Sequence, residues 1–376
     1  MTANRWLRLL THPLMAAVLS VAIGLAFGAI IIALAGYSPA EAYAALLRGI
    51  FARPRYVVNV VLKSTPIILT GLSVAFAFKT GIFNIGAEGQ YIAGAVTAGI
   101  LGYVLDIPAA VHIPLVIVAA VCMGAVWGGI AGVLKARFGI HEVISTIMLN
   151  WIALYLQNFL VKQPWLKKPN AESSYEVLEN ARVTVLGEWK FTDAGYAWAE
   201  QHPKLADILL KTDLSVGFLI AVAVVILIWY ILNRTTLGYS LRAVGYGADA
   251  AEAAGISVKQ NTVVAMCIAG GLAGLAGALN VLGANPFRIS ILSLMEGYGF
   301  DGLSVALVAG SSPVGCIFSG LLLTGLRYGG NTIQSELGVP SEVISIVIGV
   351  IVFAIAISTV FSIIARILMK KREGSL

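Results

Sequence analysis

The stretch GIFNIGAEGQ, residues 81–90, sets Asn84, Glu88 and Gln90 among three glycines in a chain that is otherwise strongly apolar. Non-helical backbone at membrane depth leaves polar groups unpaired unless it is buried in protein or lines a wet cavity. A carboxylate beside it adds a further cost, on the order of 2–3 kcal/mol on insertion scales. On one reading, 81–90 faces water or other helices inside a bundle. On the other, 79–90 is a cytoplasmic turn and Glu88 a solvated cap for the next helix. The residues alone leave both open.

Of the 376 residues, 59% are hydrophobic and 12% charged, with mean hydropathy +0.88, whereas soluble domains are about a quarter charged. The chain therefore reads as an all-α polytopic membrane protein, one transmembrane domain over 1–376. A helix needs about 20 apolar residues to cross the hydrocarbon core. Charge-free runs lie between Arg8 and Glu41, Asp106 and Lys135, Glu142 and Lys162, Asp213 and Arg234, Lys259 and Arg288, and Glu342 and Arg366. Three further spans look short or broken: 57–78 carries Lys63 and Pro66, 91–105 barely reaches across, and 302–326 is split by SSPVG at 311–315. Counting the split run as two gives about ten crossings. The first run is longer than the roughly 7–15 residues of a signal peptide core and is kept as a helix.

Lys and Arg set the orientation. With both termini cytoplasmic, the inside segments hold Arg5 and Arg8, Lys79, Lys135 and Arg137, Arg234, Arg242 and Lys259, and the 366–372 cluster, as the positive-inside bias requires. These anchors account for the net charge of +6 without any nucleic acid. Arg48, Arg53 and Arg55 fall outside, as does 162–212, which mixes lysines with acids, contains Trp165, Trp189 and Trp198, and reads as an extracytoplasmic insertion folded as a cap. Small residues four apart (Gly24 and Gly28; Gly124, Gly128 and Gly132; Gly270 and Gly274, with Gly277 nearby) predict close helix packing within the chain. Cys122, Cys267 and Cys316 stand alone, without metal or disulfide spacing, and are expected to be small buried hydrophobes. His12, His112, His141 and His202 are scattered and read as interfacial or loop residues.

GLSVA occurs at 71–75 and again at 302–306, each copy followed by a glycine-rich break. Paired interrupted spans in corresponding halves point to a transport site. The second copy follows Glu296, Tyr298, Phe300 and Asp301, a set of acids and aromatic faces able to hold a polar, ring-containing solute; an interfacial belt is the alternative for the two aromatics. Asn150 and Gln157 lie two turns apart on one span, where amides also serve as glue between helices. Asn84, Glu88, Gln90, Asn150, Glu296, Tyr298, Phe300 and Asp301 are the candidate pathway residues.

The inside loop 234–260 contains DAAEAA at 249–254, a strong helix former stopped by Gly255. Its alanine face is too small to anchor in lipid and suits a partner's groove. The chain has no GK dipeptide, hence no phosphate loop, so ATP-driven transport would need a second polypeptide.

The segments GIFNIGAEGQ (81–90), HEVISTIMLNWIALYL (141–156), TTLGYSLRAVGYGADAAEAAGI (235–256), GYGFDGLSVALVAGSSPVG (297–315) and GVPSEVISIVIGVIVFAIA (338–356) together resemble the permease subunits of ABC importers of the branched-chain amino acid, ribose and nucleoside group, in its nucleoside and simple-sugar branch. The resemblance implies an all-helical permease fold with two related halves in the cytoplasmic membrane, and pairing with a second permease, as the larger of two. It implies a lipid-anchored binding protein, and ATPase subunits that hold ATP and Mg while this chain carries no cofactor or metal of its own. It makes 245–256 the coupling segment, with Gly245, Asp249, Ala250, Ala251, Glu252, Ala254 and Gly255 facing the ATPase. The solute implied is a nucleoside, with a simple sugar as the alternative. An ion-coupled secondary transporter would need ionisable groups deep in the spans, and beyond Lys63 and Glu88 there are almost none. An intramembrane enzyme would need a paired nucleophile and base or HExxH, and neither occurs.

Overall fold

A computed structural model describes residues 13–357. Those residues form fifteen α-helices and no sheet, only isolated bridges. Arg5, Arg8, His12 and the 366–372 cluster lie outside the described residues. The chain divides into two compact units, 1–56 with 325–376, and 57–324.

In the first unit, α1 (Pro13–Leu34) turns into α2 (Pro39–Phe51), a bend of 118°. Gly36 makes the turn at φ +87°, and Ser38 Oγ caps α2 by accepting the Glu41 N–H, with Pro39 preset for the first turn. A Cβ at Gly24 would sit 2.9 Å from the Ile351 Cα of α15 (Ser341–Ala356), so this small residue permits a close helix crossing. Arg48 pairs with Glu336 at 2.6 Å.

The second unit contains α3 (Pro54–Phe78) from Val57 onward, α4 (Ala87–Val104), α5 (Ala109–Phe138), α6 (Glu142–Val161), α7 (Asp193–Gln201), α8 (Pro203–Leu209), α9 (Gly217–Arg234), α10 (Thr236–Tyr246), α11 (Ala248–Ala253), α12 (Val258–Gly283), α13 (Tyr298–Val308) and the first half of α14 (Pro313–Leu337). Five helices, α3, α5, α6, α9 and α12, have the length and apolarity to cross a membrane, and the bent α1–α2 pair makes a sixth. The other expected crossings fall on α4, α13, α14 and α15, which are shorter or less apolar. Helices α3 and α12 are mostly buried, whereas α5, α6 and α9 bury a third or less of their apolar windows. Their outward residues, such as Val118, Val126, Ile144 and Leu219, form the apolar exterior expected of a bundle in lipid.

The interior is built on backbone contact. At Gly274 of α12 the chain meets Gly94 of α4 and Gly124 of α5 so closely that a Cβ on any of the three would strike backbone. The predicted glycine rows thus pack within the chain. The two GLSVA copies pack on each other as well: a Cβ at Gly302 would lie 2.7 Å from the Gly71 N.

Several expectations are corrected. Segment 57–78 is not broken: α3 runs unbroken through Pro66, and the interruption comes after it, at 79–86. The split at SSPVG is real, with Gly310 and Ser311 at positive φ between α13 and α14. Cys122 is exposed and Cys267 only half-buried, leaving Cys316 as the buried one, because α5 turns Cys122 outward. His112 is no interfacial residue: it is fully buried, its ring nitrogens 3.2 Å from Asn180 Oδ1 and the Leu101 carbonyl. Segment 162–216 folds as short helices and turns, with Trp189 edge-on to Trp198. It is stitched to 282–291 by the N–H groups of Ser174, Val177 and Val183, which donate to the carbonyls of Ile289, Phe287 and Leu282.

Candidate functional site

Residues 79–86 leave the helical path, and the side chains of 84–90 satisfy what that break exposes. Asn84 and Gln90 exchange amide hydrogen bonds at 2.9 and 3.1 Å, and Asn84 Oδ1 accepts the Gly86 N–H at 3.0 Å. Asn150, from α6, accepts the Gly89 N–H at 2.8 Å and donates to the Ile85 carbonyl at 3.1 Å. Asn84, Gln90 and Asn150 are all buried. The amides replace the lost helical bonds, as buried polar groups require.

Glu88 is the centre of this arrangement. Its side chain is fully buried, which rules out the solvated cap. One carboxylate oxygen accepts the Gly297 N–H at 2.8 Å and the other accepts the Gly299 N–H. Gly297, at φ +88°, is the N-cap of α13, so Glu88 supplies from α4 the negative group that a helix start favours. The approach needs a glycine: a Cβ at Gly299 would land on the Glu88 backbone. Thr70 of α3 donates to the Tyr298 carbonyl at 2.9 Å, holding the same turn from the other side.

A cavity of about 260 Å³ opens beside this turn, at the end of α12 away from 234–260. Asn280 Nδ2 donates to the Tyr91 hydroxyl at 2.7 Å, and that hydroxyl donates to Glu296 at 3.0 Å. The Tyr91 and Tyr298 rings lie 5.1 Å apart. Lys63 and Arg288 also line the cavity, and neither has a hydrogen-bond or ion-pair partner among the described residues. A second polar cavity, about 530 Å³, lies against segment 176–214. Asp213, Asn285 and Pro286 line both cavities. Asp213 is 3.5 Å from Lys190 and accepts the Asn285 N–H at 3.3 Å.

At the opposite end, Gly245 of α10 rests on the Lys79 carbonyl, directly before the 81–90 break. Helix α11 follows, stopped by Gly255 at φ +81°. Asp249, Ala250, Glu252 and Ala254 are exposed, as are Gly245 and Gly255, whereas Ala251 is buried against its own chain. Tyr246 is 92% exposed beside them. Lys135 pairs with Glu142 at 2.8 Å, and Glu142 reaches the Phe83 N–H, so the basic residues Lys79, Lys135 and Arg242 gather at this end.

Six of the eight candidate pathway residues separate into two groups, and Asp301 and Phe300 belong to neither. Glu296 and Tyr298 line the cavity. Asn84, Glu88, Gln90 and Asn150 form the buried clamp behind it, Asp301 is buried on α13, and Phe300 is exposed. Sequence reasoning did not single out Asn59, Tyr91, Asn280 or Arg288 as cavity residues; the available signals were Lys63, a cation inside a span, and the amide of Gln157, both of which line the cavity.

Comparison with known proteins agrees with this architecture. Residues 56–356 match the family described as branched-chain amino acid transport system / permease component. The chain is 39% identical to the guanosine ABC transporter permease protein NupP of Bacillus subtilis, over 96% of this chain and 98% of that one. It is 32% identical to the nucleoside ABC transporter permease protein NupB of Lactococcus lactis, over 94% and 93%. It is 29% identical to the glucose ABC transporter permease protein TsgB13 of Haloferax volcanii, over 92% and 87%. No solved structure matches the chain. The helical bundle, the interrupted helices and the full-length match together place this chain in the branched-chain amino acid transport system permease family.

Proposed function

We propose that this chain is the larger permease subunit of an ATP-driven importer that moves nucleosides across the cytoplasmic membrane. The observation that carries the reading is the near full-length similarity to a guanosine permease and a nucleoside permease. The cavity agrees with it in chemistry: the Tyr298 ring in its wall suits a flat base, and the Asn280–Tyr91–Glu296 chain suits its polar edge and the ribose hydroxyls.

In this reading the end bearing Lys79, Lys135 and Arg242 faces the cytoplasm, both chain termini included, following the positive-inside bias. The cavity then opens toward the outer surface, where segment 162–212 and a lipid-anchored binding protein meet the solute. ATPase subunits, holding ATP and Mg, dock on the exposed residues of 245–256, with Tyr246 as an aromatic anchor. A second, different permease completes the pathway. Movement at α11 passes through Gly245 to 79–81, then through the clamp to Glu88 and the turn that leads into α13, where Glu296 precedes the Gly297 cap and Tyr298 opens the helix. The links are the Gly245 backbone contact with Lys79 and the buried hydrogen bonds of the Asn84, Gln90, Asn150 and Glu88 side chains.

Uptake of labelled guanosine and uridine by cells with and without this gene tests the proposal. Uptake should disappear with the gene and return with it only while the ATPase is active. Unchanged uptake in the deletion strain, or uptake that persists without ATP hydrolysis, would reject it. A simple sugar is the second reading, supported by the glucose relative; labelled ribose and glucose in the same assay separate the two.

A further inference from the structure

Arg288 lines the cavity, yet its Nε is shielded from solvent without a hydrogen-bond partner. No ion pair engages its guanidinium among the described residues. The nearby carboxylates pair elsewhere: Glu296 accepts from Tyr91, and Asp213 holds Lys190 and the Asn285 N–H. A guanidinium partly withdrawn from water and left unpaired costs free energy, and a bound solute that supplies acceptors would remove that cost.

The backbone around it is held in place. Phe287, immediately before Arg288, has φ +52°, a left-handed conformation rare for a bulky residue. Such outliers persist only where the surroundings over-determine them, and they gather at ligand-contacting sites. Here the Phe287 carbonyl accepts from Val177 at 2.8 Å and the Ile289 carbonyl from Ser174 at 2.8 Å. The Ser290 carbonyl accepts from Gln157 at 2.9 Å, and the Arg182 guanidinium lies 4.5 Å over the Phe287 ring. The residues flanking Arg288 are thus pinned on both sides, which fixes the backbone position from which its side chain enters the cavity wall.

We propose that Arg288 is a specificity-determining residue of the cavity, and that its planar donor fork takes two adjacent acceptor atoms on a flat ring, as the O6/N7 edge of a 6-oxopurine nucleoside presents. The inference rests on the nucleoside reading above. Guanine offers two acceptors at that edge, whereas adenine pairs one acceptor with a donor amine. The Tyr298 ring in the same wall provides a face for the base. A lysine keeps the charge but cannot reproduce the fork.

The test is uptake of labelled guanosine and adenosine by the complete importer in proteoliposomes, comparing the native chain with Arg288→Gln and Arg288→Lys. The binding protein is the same in every preparation, so a change in the guanosine-to-adenosine ratio belongs to the permease. Both variants should lower that ratio by at least about tenfold. The ratio is internal to each sample and reads out at whatever level a variant assembles; should the Gln variant not assemble, the Lys variant carries the test. An unchanged ratio in either assembled variant overturns the proposal, the Lys result then assigning Arg288 a general electrostatic role. Native importer that moves ribose but neither purine nucleoside rejects the nucleoside reading itself, a distinct outcome.

Discussion

The break at 81–90 and the cavity beside α13 are two polar regions of one bundle, and they treat their carboxylates in opposite ways. Glu88 is fully buried with both oxygens engaged by backbone N–H groups, and its neighbours Asn84, Gln90 and Asn150 close their hydrogen bonds among themselves. Glu296, eight residues after Arg288, is exposed to the cavity and has one partner, the Tyr91 hydroxyl. The first region is a closed clamp, and the second is the open cavity that the proposed function assigns to the solute. A polar cluster whose hydrogen bonds are complete is structural, while one that keeps unpaired donors and acceptors around an open volume is prepared for a ligand.

The widest separation is expected at Glu88. Replacing Glu88 with Gln removes charge-assisted bonds and turns amide hydrogens toward N–H donors, for a loss of about 3 kcal/mol in stability. Thermal unfolding of the purified complex in detergent should show it, with uptake falling in parallel because the start of α13 is released. A variant of native stability that transports normally would dissolve the distinction between clamp and cavity. On the cavity side, Tyr91→Phe should cost only about 1 kcal/mol in stability while raising the apparent uptake KM several-fold, since Glu296 and Asn280 lose the hydroxyl that positions them. An equal loss of stability at the two sites would mean that Tyr91 belongs to the clamp. The smallest structural effect is expected at the far end: Tyr246→Asp should leave the stability within about 0.5 kcal/mol of native yet abolish co-purification with the ATPase subunit. Normal co-purification would remove this residue from the docking surface and leave α11 alone as the candidate contact.

Much of this was legible in the residues. Composition and charge-free runs announce the membrane bundle, the glycine rows announce close packing, and the break after residue 78 and the helix stopped by Gly255 follow from local punctuation. The cavity was harder to read. Tyr91 and Asn280 look like single polar residues in apolar helices, and nothing local distinguishes them from interhelical glue. Only their meeting, 189 residues apart, shows that they share the wall of one cavity. Glu88 was read toward the pathway because a carboxylate in a span is usually functional, and its engagement by Gly297 and Gly299 could not be seen from a stretch ten residues long. Arg288 was overlooked because it marks the end of a charge-free run, where a cation is expected as an anchor.

By itself the sequence determined the class of protein, most of its apolar helices, and the presence of an interrupted helix beside a carboxylate. Those features depend on interactions spanning a few residues, on the length needed to cross a bilayer, and on the backbone's demand for internal hydrogen bonds. Tertiary structure alone decided which polar side chains complete one another and which stay open. That choice is made by partners such as Glu88 and Gly297, 209 residues apart, brought within hydrogen-bond reach only when the helices pack.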